Sequence, residues 1–451
     1  MASMRARLEK IKRDPRALID PGCVARACRA SGHEWRERTL GPLATLEAFA
    51  VQVAHGNTAL GHVARLMGGR FTESAYCQAR SRLPVAVVRT LLREFTAGSG
   101  ETPDDWRGHR VVLIDGTGVS LPDTPELRAH FGTAGDPAPG CGLPCAKVLC
   151  VFRAHDGMLL DLHLATACAG DLGHVREVHP ALRPGDVLVG DRGLCAYTHL
   201  ADLLRIGCHG LFRMQACRVM PFPASPGPRR RLAYNRHRSA EPVLVELITR
   251  DDQVVEIVKP HNRPKSMAPG AFARIPSTLV VRAVRYRVAE RGFRAHEFTL
   301  LTTLTDASRY SAEDLARLYL MRWRVEINLR HLKRTLGMDR LKCGSVAGVT
   351  REVLMLALLY NAVCRVRALA AAAANTDPTR LSFIDALRAL HAAIRGSRVL
   401  LPRPTKLKSW PLRTPRPFQR RVKRKHSDYR VLTMPRHRFV EWLYNRPRVL
   451  N

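Results

Sequence analysis

Apolar residues recur at helical spacing near the start of the chain and at strand spacing through its middle. Leu40 to His55 and Gly61 to Leu66 are amphipathic, another run opens at Thr72 or Glu73 and reaches Arg80, and Pro84 to Phe95 precedes the break at Gly98 and Gly100. This predicts a helical module over residues 1–97. From Arg110 the period changes. Val111, Val112, Leu113 and Ile114 form an unbroken apolar run, the pattern of a strand buried on both faces, and deliver Asp115 at its end before Gly116 and Thr117. Val148 to Arg153 and Met158 to Ala165 flank a turn at Asp156-Gly157 and predict two strands beside the first. Asp186 to Gly190 repeats the theme, a short strand ending in Asp191, with a helix from Cys195 to Arg205 after it.

Beyond Phe212 the composition turns to Pro and Arg, with Pro221, Pro223, Pro226, Pro228 and Arg229 to Arg231, and strands follow at Pro242 to Thr249, Gln253 to Val258, Thr278 to Val288 and Glu297 to Thr303. These mark a mostly β insertion. Arg229, Arg230, Arg231, Arg236 and Arg238 form a basic lip that reads equally as a phosphate-tracking or a solubilising loop. Ser311 to Lys342 predicts one helix, with Ser311 as N-cap, Glu313 and Asp314 in its first turn and Gly337 closing it. Leu318, Met321, Val325, Leu329, Leu332 and Leu336 share one stripe of that helix. Tyr319, Arg322, Glu326, Arg330 and Lys333 share the next. On this wheel Trp323 packs rather than faces the same side. Helices from Thr350 to Ala374 and Leu381 to Arg395 lead into a Pro-containing arm without an acidic residue from Ala386 to Ser427, and a short helix from Phe439 to Tyr444 closes the chain.

Composition narrows the partners. Lys plus Arg outnumber Asp plus Glu by 73 to 39, for a formal charge of +34, and such a surplus points to a polyanion, with nucleic acid the default. The opening MASMRARLEKIKRDP lacks an apolar leader, and Val353 to Tyr360, the most apolar stretch, reads as too short for a bilayer, so the expected setting is the cytoplasm with no membrane. Twelve Cys spread along 451 residues read as reduced thiols. Cys141, Cys145, Cys150 and His155 fit no zinc spacing, and Gly140, Gly142 and Lys147 lack the order of a phosphate-binding P-loop.

Two readings of the Tyr319 to Lys333 stripe stand side by side: a solvated face with ordinary ion pairs, or a carboxylate set among phosphate-binding cations. Its spacing, Tyr319, two residues, Arg322, three residues, Glu326, six residues, Lys333, resembles the Y-R-E-K signature of the insertion sequence 4 family of DDE transposases. The run Tyr76-Cys77-Gln78-Ala79-Arg80-Ser81-Arg82-Leu83-Pro84 resembles the one before that family's catalytic core. The resemblance implies an RNase H-like mixed sheet with flanking helices, interrupted by the β insertion. Around it stand a helical N-terminal DNA-binding domain (1–97), core segments at 98–214 and 300–375, the insertion at 215–299 and a basic C-terminal region at 376–451. Asp115, Asp191 and Glu326 are then the catalytic carboxylates and the ligands of two Mg²⁺, replaceable by Mn²⁺, because hard cations take oxygen donors. Tyr319, Arg322, Arg330 and Lys333 are DNA-binding residues. The implied task is cleavage and strand transfer at the inverted ends of an element and into duplex target, by a homodimer in a synaptic complex, near the bacterial nucleoid when bound. The competing expectations are a DNA-binding derivative without cleavage and a structure-specific nuclease on the same core. His130 and His331 are expected as phosphate contacts or surface groups, and Asp251 and Asp252 as turn formers.

Overall fold

The structure, a computed structural model, describes residues 19–394 apart from 37, 98–105, 134–141, 168–169, 216–219, 221, 223–241 and 289–295. The basic lip around Arg229, most of the acid-free arm and the expected Phe439 to Tyr444 helix lie outside the described residues.

Five helices open the described chain: α1 (Pro21–Ala30), α2 (Pro42–Ala54), α3 (Leu60–Leu66), α4 (Glu73–Arg82) and α5 (Val85–Ala97). Their starts follow local rules. Asp20 accepts the Cys23 N–H at 2.9 Å ahead of Pro21, and the Thr72 hydroxyl accepts the Ala75 N–H at 3.2 Å. Nine strands then build one sheet: β1 (Val111–Ser120), β2 (Cys145–Arg153), β3 (Leu159–Thr166), β4 (Val187–Gly190), β5 (His209–Arg213), β6 (Val243–Thr249), β7 (Asp252–Val258), β8 (Thr278–Val288) and β9 (His296–Thr302). Their order is β3-β2-β1-β4-β5-β9-β8-β7-β6, with β1, β4 and β5 parallel and every other neighbouring pair antiparallel. The stretch expected as an insertion therefore extends the same sheet, since β9 pairs directly with β5.

β1 sets the two faces. Val111, Leu113 and Val119 enter one core with Phe49, Leu91 and Leu356, while Val112 and Ile114 enter the opposite core with Leu188, Leu200 and Phe212. By strand alternation Asp115 belongs to the first face and Gly116 to the second. β1 also differs from the sequence expectation. The strand does not end at Asp115 but runs on to Ser120, because β2 keeps pairing with it after β4 has parted at Leu113. Asp115 thus sits just beyond the parallel ladder, where the edge on the β4 side opens.

Helices α6 (Pro125–Phe131), α7 (Asp171–His174), α8 (Tyr197–Arg205) and α9 (Pro269–Ala273) lie between strands. After β9 come α10 (Ala312–Leu320), α11 (Trp323–Arg330), a π turn at His331–Thr335, α12 (Val346–Ala373) and α13 (Phe383–Ile394). α12 corrects the expectation that no segment is long enough for a bilayer. Its 28 residues suffice in length and hydropathy, yet 72% of its most apolar window is buried within the fold. It is a core helix. Asn361, fully buried on it, donates to the Leu159 carbonyl and accepts the Leu159 N–H, both at 2.8 Å, and Arg351 donates to the Leu83 carbonyl at 2.7 Å. Of the N-terminal helices, α1, α2 and α5 share its core with the sheet, while Val63 of α3 and Tyr76 of α4 pack on Ala48 of α2 in a smaller cluster.

A second packing device lies on the opposite face. His179 and His199 stack at 5.4 Å with ring planes 13° apart, and His199 is 1% exposed with its Nδ1 2.9 Å from the Leu194 carbonyl. Burial pushes the two imidazoles down to about 3 and about 4. Because the unfolded chain takes up these protons first, the stability they contribute is complete above the ordinary histidine value near 6.5 and is lost as pH falls toward 4. Urea unfolding followed by circular dichroism between these pH values is expected to show this fall, and His199→Gln to flatten it. An unchanged slope in the variant would assign the acid sensitivity elsewhere.

Candidate active site

Three segments remote in sequence meet at the carboxyl ends of the parallel strands, where open α/β sheets leave a crevice. Asp115 lies on β1, with one carboxylate oxygen accepting the Gly116 N–H at 2.8 Å. Asp191 directly follows β4 and caps a 3₁₀ turn, Arg192–Leu194, by accepting the Gly193 N–H at 2.8 Å. Glu326 stands on α11 with its side chain 42% exposed.

The helix carrying Glu326 is not the single helix expected. Ser311 does cap it, in a reciprocal capping box with Asp314, but α10 ends at Leu320 and α11 restarts at Trp323. After Arg330 the backbone widens into the π turn, which ends at the left-handed Gly337. The apolar stripe survives these interruptions: Leu318, Val325, Leu329, Leu332 and Leu336 are buried in one core. The polar stripe does not stay together. Arg330 is exposed, Tyr319 is 7% exposed and Lys333, in the π turn, is 8% exposed. Trp323, expected to pack, is 51% exposed: it begins α11 on the same open side as Glu326, Ile327 and Arg330, and its ring lies 5.2 Å from the Arg322 guanidinium.

Arg322, at the break itself, connects the acids. Its Nη1 is 3.6 Å from Asp115 Oδ2 and its Nη2 donates to Glu326 Oε1 at 3.3 Å. Burial pushes the Asp115 carboxyl up to about 6. The Gly116 N–H and the Arg322 charge oppose that rise, and the charges of Asp191 and Asp171 add to it. Tyr319 completes the wall, its ring 5.6 Å from Phe298 and its hydroxyl pushed upward by burial against the charges of Arg322 and Arg213. As they stand, no three His, Cys, Asp or Glu side chains among the described residues are grouped as a metal-holding cluster. The donors nevertheless suit one. They are carboxylate oxygens, which hard divalent cations prefer, and two of them already share a cation, the Arg322 guanidinium.

Sequence reasoning missed the support behind β1. Asp171, the first residue of α7, pairs with Lys147 Nζ at 2.8 Å and lies so close to β1 that a Cβ on Gly116 would meet its Oδ1 at 2.5 Å. Only the Gly after Asp115 hints at so close an approach. Arg213, whose guanidinium sits 5.6 Å over the Phe298 ring, was missed for want of any motif. Other expected residues have ordinary duties. His331 is neither a surface group nor a phosphate contact: it stacks on Phe383 at 4.2 Å, and burial pushes it down to about 4. Asp252 is not a turn former but the buried partner of Arg282, at 2.6 Å.

Comparison with known proteins adds three findings. The family model described as Transposase DDE domain matches residues 106–362. The chain is 28% identical over 297 residues to the transposase InsG for insertion sequence element IS4 of Escherichia coli K12, an alignment covering 64% of this chain and 60% of that protein. Among solved structures, the piggyBac transposase synaptic complex with hairpin DNA superposes with a TM-score of 0.42 at 11% identity, over 85% of this chain and 77% of that one.

The packing at Gly116 makes a direct forecast. Gly116→Ala forces Asp171 off β1 and is expected to cost about 1–3 kcal/mol, read as a lowered urea midpoint, and Asp171→Ala in the same chain is expected to restore part of the loss. Strict additivity of the two changes would show that the contact is not the cause.

Proposed function

The chain belongs to the family of transposases built on a DDE domain, the family to which the insertion sequence 4 resemblance pointed, and on that premise we propose that it cleaves DNA at the ends of a mobile element and transfers them to target DNA. The first five strands, ordered β3-β2-β1-β4-β5 with β2 antiparallel to its neighbours, are read as an RNase H-like core. The observation that carries the proposal is the convergence of Asp115 and Glu326 on one guanidinium, with Asp191 near enough to act on the ionisation of Asp115.

In this reading Asp115, Asp191 and Glu326 would hold two Mg²⁺, or Mn²⁺. Two such ions supply the charge that activates the attacking oxygen and stabilises the crowded phosphoryl centre. The chain's own residues do the positioning. Arg322 and Arg330 take phosphates beside the scissile bond, and Tyr319, backed by Phe298, closes the site over the nucleotide. Lys333 joins them only where the π turn opens, since it is buried otherwise. The helices of residues 1–97 read the element end. A homodimer brings two ends together, in the cytoplasm at the nucleoid. The chain spans 60% of the length of InsG, so none of that relative's own activity is taken over as established here.

Two measurements test the proposal. With a labelled element end, Asp191→Asn and Glu326→Gln are each expected to leave binding within a few-fold of wild type and to abolish Mg²⁺-dependent nicking. Binding without cleavage by the wild type would favour the DNA-binding derivative, nicks without joined products the nuclease, and unimpaired nicking by Asp191→Asn would remove that residue from the site. DNA affinity is also expected to fall steeply with salt, with a log–log slope corresponding to roughly 6–10 phosphates. A flat response would point to another partner.

A further inference from the structure

The Arg322 contacts are longer than those of the buried arginine–carboxylate pairs, and match instead exposed pairs such as Arg324–Asp377 at 3.6 Å. Arg110–Asp186 and Arg153–Asp156 close at 2.5 Å, and Arg89–Asp161 and Arg282–Asp252 at 2.6 Å. These are the short distances of charge-assisted hydrogen bonds. Arg322 instead splits its two terminal nitrogens between Asp115 at 3.6 Å and Glu326 at 3.3 Å. Its Nε is buried without a hydrogen-bond partner among the described residues, although its side chain is only 12% exposed. It also leaves the Asp115 oxygen bound by Gly116 N–H untouched. A guanidinium with five donors thus meets two carboxylates at long range, beside the Tyr319 hydroxyl and the Trp323 ring. Arg322 lies at the tight turn between α10 and α11, where its backbone N–H donates to the Tyr319 carbonyl and its carbonyl accepts the Val325 N–H, both at 3.0 Å.

Resting on the transposase reading above, we propose that Arg322 is a built-in counter-cation that occupies the gap between Asp115 and Glu326 in the free protein and yields it when DNA phosphate draws the guanidinium away. Divalent metal and DNA then load together. The physical basis is exclusion of like charge: a divalent ion entering between these two carboxylates would sit against a fixed positive group. A phosphate that pairs with both the terminal nitrogens and the unpartnered Nε removes that opposition and satisfies a buried donor at once. The coupling is reciprocal, so metal also strengthens the hold on DNA. In the absence of DNA the guanidinium offsets part of the charge of Asp115 and Glu326, and the metal is held weakly.

The test is metal binding rather than turnover. Mn²⁺ is titrated into the full-length chain and followed by calorimetry, with and without a short mixed-sequence duplex, for wild type, Arg322→Gln, Arg322→Lys and Asp115→Asn. Without DNA, Arg322→Gln is expected to bind Mn²⁺ about tenfold more tightly than wild type, and Arg322→Lys, which keeps the charge, to stay near wild type. The duplex is expected to tighten Mn²⁺ binding to the wild type but not to Arg322→Gln. Equal affinities of wild type and Arg322→Gln, with binding still lost in Asp115→Asn, would overturn the counter-cation while leaving the metal site intact. Mn²⁺ binding indifferent to Asp115→Asn would instead overturn the metal site. Should Arg322→Gln fail to fold, the wild type alone decides, because no tightening by the duplex refutes the proposal.

Discussion

A carboxylate held where water barely reaches it must be balanced by the protein around it, and at Asp115 much of the surrounding architecture serves that need. Burial is the largest influence on this acid and pushes it up to about 6. The Gly116 N–H and the Arg322 guanidinium oppose that tendency, while Asp191 and Asp171 reinforce it. The balance depends on β1 continuing past β4, which leaves Asp115 within the strand but beside an open edge. It depends equally on α10 breaking before Trp323, which brings Arg322 to the break, between two carboxylates.

What could be read from the sequence follows from how local each signal is. The apolar runs before Asp115 and Asp191 specify buried strands by themselves, and the Ser311 to Asp314 capping box is complete within four residues. The apolar stripe from Leu318 to Leu336 was legible because burial of leucines tolerates a local break in the helix. The break itself was not, because Met321 and Arg322 are good helix formers and nothing in their neighbourhood predicts the turn. Trp323 was misread because the open side of α11 is wide enough to include a residue roughly 60° from Glu326, and how far the core covers a helix is not a local signal. The Lys147–Asp171 pair was invisible because its partners come from β2 and α7 and meet only across the back of β1.

The same distinction explains why the sheet is continuous where an insertion was expected. Each of β6 to β9 was recognisable from its own run of β-branched residues, but which strand pairs with which is a long-range matter. The pairing of β5 with β9 rests on Leu211, Phe212 and Arg213 meeting Thr302, Leu301 and Leu300. That junction ties Arg213 and Phe298 to Tyr319, so the added strands wall the site.

The charge of the chain acquires its meaning from where its acids are used. Asp161, fully buried, is shared by Arg89 and Arg93 and so ties α5 to β3. Asp186 is paired with Arg110 under the sheet and Asp252 with Arg282 within it. Glu352 accepts the N–H groups of Lys342 and Cys343 at the start of the loop into α12. Acids spent on such internal pairs offset cations that are themselves largely withdrawn from the surface. The surplus of +34 is therefore carried mainly by side chains that have no carboxylate to answer them, and those are the ones a polyanion meets first. At the crevice the arrangement inverts: Glu326 is exposed, Asp115 and Asp191 are half-buried, and one arginine stands between Asp115 and Glu326. A basic exterior gathers the backbone of a nucleic acid, while the acidic crevice repels it unless positive charge enters with it. On the proposed function, that opposition would confine phosphate to a narrow set of positions beside Asp115, Asp191 and Glu326, where a reaction on a single phosphodiester would need it.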